Sequence, residues 1–151
     1  MQEKTPRYRD EVVSAIKQIE RENDRDTSGG FELISLVAKW IRTLPPGDRD
    51  EVISVLLHQL TAGGEYGNLA PFVIGELADT KYIQQLLNLL PQLRKYSNRP
   101  RHGGRSLYDI ALICVAEHLC NEDVTTTLRS RIEELIRLKD SNAFFLMGVL
   151  L

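Results

Sequence analysis

An all-α fold follows from three features of this 151-residue sequence. Apolar residues recur every three or four positions in stretch after stretch, the spacing of helices with one face turned inward. No segment sustains the strict alternation of a half-buried strand. The segment 69–93, LAPFVIGELADTKYIQQLLNLLPQL, reads as two apolar-faced helices joined by the short turn Ala78-Asp79-Thr80. Such a pair cannot bury both stripes by itself, so it calls for neighbours stacked on either side. Aromatic content agrees: four Phe, five Tyr and one Trp against abundant Leu and Ile disfavour a β-sandwich.

The elements follow in order. Pro6 suits the start of a helix, with Thr5 as its cap, and Val12, Val13, Ile16 and Ile19 form its stripe before the polar run Glu20 to Asp26. Ser28 caps a second helix, Phe31 to Leu44. Its apolar residues Leu33, Ile34, Leu36, Val37, Trp40, Ile41 and Leu44 cover so much of the surface that the helix should be central. Pro45-Pro46-Gly47 stops it. Asp48, Asp50 and Glu51 open a third helix with anions where the helix dipole favours them, and it runs through Leu60 to Gly63-Gly64. Asn68 caps a fourth, whose inward face is Leu69, Phe72, Val73, Ile74 and Leu77.

Thr80 caps a fifth helix, with Ile83, Leu86, Leu87, Leu90 and Leu93 inward and Gln84, Gln85, Asn88 and Gln92 outward. After a loop, Arg94 to Arg105, Ser106 and Asp109 make a capping box for a sixth helix through Ile110, Ile113, Cys114 and Leu119. Asn121 caps a seventh. Arg129, Glu133 and Arg137 form an i,i+4 ladder on its solvated side. A short eighth helix runs from Ser141 to the end. Its apolar run, Phe144 to Met147 with Val149, Leu150 and Leu151, reads as closing the end of the stack, the other reading being an exposed patch for self-association or for a partner. The expected architecture is therefore all-α, with seven or eight helices in stacked antiparallel pairs and a single domain over 1–151.

The turn Leu77-Ala78-Asp79-Thr80 has counterparts at Leu119-Cys120-Asn121-Glu122 and at Leu44 to Asp48, at intervals of roughly 42 and 33 residues. On these turns the stretch Phe31 to Lys139 resembles degenerate HEAT-like α-helical repeats. The resemblance implies a right-handed α-α superhelix that presents the second helix of each pair, and with it Gln84, Gln85 and Asn88, as a binding layer. It departs from that pattern in the insertion 94–105 and in the unpaired first and last helices.

Composition narrows the function. A net charge of −2 gives no general affinity for nucleic acid or anionic membranes. The start MQEKTPRYRDEVV has no apolar core of a secretory signal, and the tail from Ala143 is far shorter than the roughly 20 residues of a membrane span. Cys114 and Cys120 lie six residues apart in one helix, about 600° of turn, so they do not bridge. They read as small core residues of a reducing compartment, which places the chain in the cytoplasm.

The most distinctive chemistry is RKYSNRPRHGGR, residues 94–105. Arg94, Lys95, Arg99, Arg101 and Arg105, with His102 and Tyr96 and no acid, form a concentrated basic loop on a slightly acidic chain. Guanidinium groups match carboxylates and phosphates in pairs of hydrogen bonds, so the loop suits an acidic protein surface first and nucleic acid second. The competing reading is a solvated connector. Cys114 and His118 have the i,i+4 spacing of two zinc ligands, but no second pair completes a site. Nothing matches a nucleophile and its base, and the glycine pairs fit no phosphate loop. No cofactor is expected.

The function these readings favour is non-enzymatic: a protein-binding module that acts by steric association. Immunity proteins, which neutralise a cognate bacterial toxin domain, are one type of such small stand-alone binders. The partner-binding candidates are Arg94, Lys95, Tyr96, Arg99, Arg101, His102, Arg105, Gln84, Gln85 and Asn88. The alternative is a nucleic-acid-binding helical repeat that uses the loop 94–105.

Overall fold

The computed structural model describes residues 4–24, 30–64, 66–96, 106–119 and 121–150, without the side chains of 4–9, 23–24, 30–32 and 96. Among them the chain is all-α, with no strand. The helices are α1 (Lys4–Asp24), α2 (Gly30–Arg42), α3 (Pro46–Ala62), α4 (Ala70–Leu77), α5 (Thr80–Tyr96), α6 (Leu107–His118), α7 (Glu122–Arg137) and α8 (Asn142–Leu150). A 3-10 turn, Gly67–Leu69, precedes α4. Two compact units divide the chain at Leu77/Ala78, inside the turn that the sequence reads as the hinge of a helix pair. One helix of that pair therefore belongs to each unit.

In the first unit α2 touches α1, α3 and α4, as its broad apolar surface predicts. Its buried residues are Leu33, Val37, Ala38 and Ile41; buried too are Val12 and Ile16 of α1, a run of apolar residues along α3 from Val52 to Leu60, and Val73 and Ile74 of α4. α2 ends at Arg42, two residues earlier than expected, and the Arg42 guanidinium then donates to the Glu76 carbonyl near the end of α4, 2.7 Å away.

Local chemistry explains the corner between α3 and α4. Gly63 takes the left-handed conformation, φ 76°, and its N–H donates to the Gln59 carbonyl. The chain then folds back onto the end of α3. A β-carbon on Gly67 would stand 2.5 Å from the Gln59 carbonyl oxygen and 2.8 Å from the Leu60 α-carbon, so only glycine fits. Buried Gln59 accepts from the Tyr66 N–H, and the Tyr66 hydroxyl donates to Glu20 on α1 at 2.9 Å.

Asn68, expected to cap α4, lies within this 3-10 turn instead. The turn moves the register of α4, which buries Ala70, Pro71, Val73 and Ile74 and leaves Phe72, an expected inward residue, 38% exposed. Likewise α1 begins at Lys4, before its expected cap Thr5. Ser28, Cys120 and Leu151 lie outside the described residues.

In the second unit α6 is central, touching α5, α7 and α8. Asp79, not Thr80, caps α5: its carboxylate accepts from the Lys81 N–H at 2.9 Å. Tyr82, Ile83, Leu86, Leu90 and Leu93 are buried. Pro91 sits inside α5 and has no N–H to offer the preceding turn, yet the helix continues to Tyr96. Arg94, Lys95 and Tyr96 therefore end a helix rather than begin a loop. The expected caps Ser106 and Asn121 are in place, but the Asp109 half of the α6 box turns its carboxylate to Arg131 instead. Ser106 accepts from the Asp109 N–H at 3.1 Å, and Asn121 from the Asp123 and Val124 N–H groups. α7 closes with the two backbone bonds of a Schellman motif, Asp140 to Leu135 and Lys139 to Ile136. Lys139 occupies its left-handed position at φ 58°.

Candidate functional site

Two features of the second unit bear on function: a partly buried ion network that takes up Arg94, and a run of exposed apolar residues at the C-terminal end.

The network starts from α6. Asp109, which caps nothing with its side chain, is 2% exposed and faces Arg131 of α7, itself 6% exposed. The two make a bidentate pair, Nε to Oδ1 at 2.6 Å and the Nη2 nitrogen to Oδ2 at 3.0 Å. A third nitrogen of Arg131 reaches Glu134 at 2.6 Å, and Arg94 of α5 reaches the same oxygen at 2.7 Å. Both guanidinium carbons also lie over the buried Tyr108 ring, 5.2 Å and 5.6 Å from its centre, within cation–π range.

Hydrogen bonding to Asp109 keeps the Arg131 guanidinium firmly protonated against the cost of its burial. For Glu134 burial works to raise the carboxyl, but the hydrogen bond from Arg131 and the charges of Arg94 and Arg131 prevail and hold it below the usual range. Arg94 thus spends its charge in tying α5 to α7, a use that fits the connector reading at that residue.

The other sequence candidates separate. Gln84 and Asn88 are exposed on the outer side of α5, Gln85 is half-buried, and Lys95 is exposed at the helix end. Gln84 donates to Asn88 at 3.4 Å. Arg99, Arg101, His102 and Arg105, and the side chain of Tyr96, lie outside the described residues.

Cys114 and His118 do not converge on a metal position. The His118 Nδ1 is 2.9 Å from the Cys114 carbonyl, one turn back along α6, and no cluster of three or more metal-ligating side chains occurs among the described residues. Burial, with the charge of Glu117 adding, pushes the Cys114 thiol up to about 12. It is a neutral core side chain at ordinary pH.

The C-terminal face is where expectation and structure differ most. An apolar tail that closed the helical stack would be covered, yet only Ala143 and Leu146 of α8 are buried. Phe144 is 73% and Phe145 57% exposed, and Met147 and Leu150 are exposed as well. Ile136 and Leu138, at and just past the end of α7, are exposed too. Six of the seven exposed large apolar residues among those described lie in this short C-terminal stretch, so the exposure is concentrated rather than scattered.

An open groove of about 710 Å³ runs where α6 and the start of α7 meet the end of α8, with Leu119, Asn121, Thr125, Val149 and Leu150 along it. No helix is long and apolar enough among the described residues to cross a membrane. The apolar composition of the tail is the signal of this face in the sequence, but it does not say which side stays uncovered. The sequence matches no known protein family, and neither a curated protein nor a solved structure is similar enough to be matched.

Proposed function

We propose that this protein is a protein-binding module that acts by steric association, with the apolar face of α8 and the end of α7 as its docking surface. The observation that carries the reading is the concentration of exposed Phe144, Phe145, Leu138 and Ile136 in one short stretch of the chain. Exposed apolar residues that gather into a patch mark interaction surfaces in soluble proteins, and aromatic residues supply much of the energy of protein contacts. Neutralising a toxin, as an immunity protein does, is one form such an association takes. The nucleic-acid alternative is weakened at Arg94, whose charge already serves Glu134.

The test is affinity capture with the wild-type protein beside a Phe144→Glu, Phe145→Glu variant. A bound protein that is lost from the variant by at least about tenfold, the loss of a single good anchor, is the expected result. Equal capture by both proteins removes this face from the reading. Recovery of nuclease-sensitive RNA or DNA would replace it with the alternative.

A further inference from the structure

We draw no further inference here: the strongest candidate, the exposed side of α8 that carries Phe144 and Phe145, is an apolar face, and nothing in the structure shows what covers it.

Discussion

At the scale of single residues, the Asp109–Arg131 pair is the interaction with most at stake. Both groups are almost wholly buried, so each depends on the other for its hydration to be replaced. Asp109→Ala should cost about 3–5 kcal/mol by chemical denaturation, the usual result of stranding a buried charge. The double change Asp109→Leu, Arg131→Met should recover most of that loss, because it removes the orphan along with its partner.

Glu134 sets an acid limit. Its carboxyl is held below its unfolded value of about 4.3, so its contribution is present above that pH and is lost as pH falls through the lower folded value. Thermal midpoints of the wild type should therefore fall more steeply below about pH 4.3 than those of Glu134→Gln. Cys114 gives the opposite sign at high pH. With the folded thiol near 12, it should resist alkylation at pH 8 in the native protein and react once the chain is unfolded, as peptide mapping would show.

At the scale of elements, two turns carry opposite backbone demands. Gly67 allows the 3-10 turn to lie against the backbone of Gln59 and Leu60, and Gly67→Ala should cost at least about 1–3 kcal/mol, the range for forced overpacking. Lys139 fills a left-handed position that glycine occupies freely. Lys139→Gly should therefore stabilise the α7 terminus by about 1 kcal/mol, measurable as a higher denaturation midpoint. Both turns were only partly legible beforehand. Gly63-Gly64 reads plainly as a break, but the 3-10 turn that displaces Asn68 and turns Phe72 outward arises from contact between segments.

At the scale of the whole molecule, a net charge of −2 gives little long-range field, so association should rest on apolar contact. Capture through α8 should accordingly change little between about 0.1 M and 1 M salt, over which the Debye length drops from about 10 Å to 3 Å. Binding through phosphate contacts would instead fall steeply over that interval. Co-sedimentation at the two salt concentrations separates these outcomes.

By itself the sequence determined the helical class, most of the helix boundaries, and the caps Ser106 and Asn121, because each of these follows from spacing and from hydrogen bonds within a few residues. It also determined that the tail is apolar. Only the tertiary structure decided what that tail does not cover, since exposure depends on which neighbour reaches which side of α8. The same holds for Arg94 and Arg131. In the sequence Arg94 reads as part of a basic loop, and nothing singles out Arg131, which lies between the ladder residues Arg129 and Glu133. The fold brings Arg94 onto Glu134, 40 residues away, and both guanidinium groups over Tyr108, across separations in the chain that periodicity does not encode.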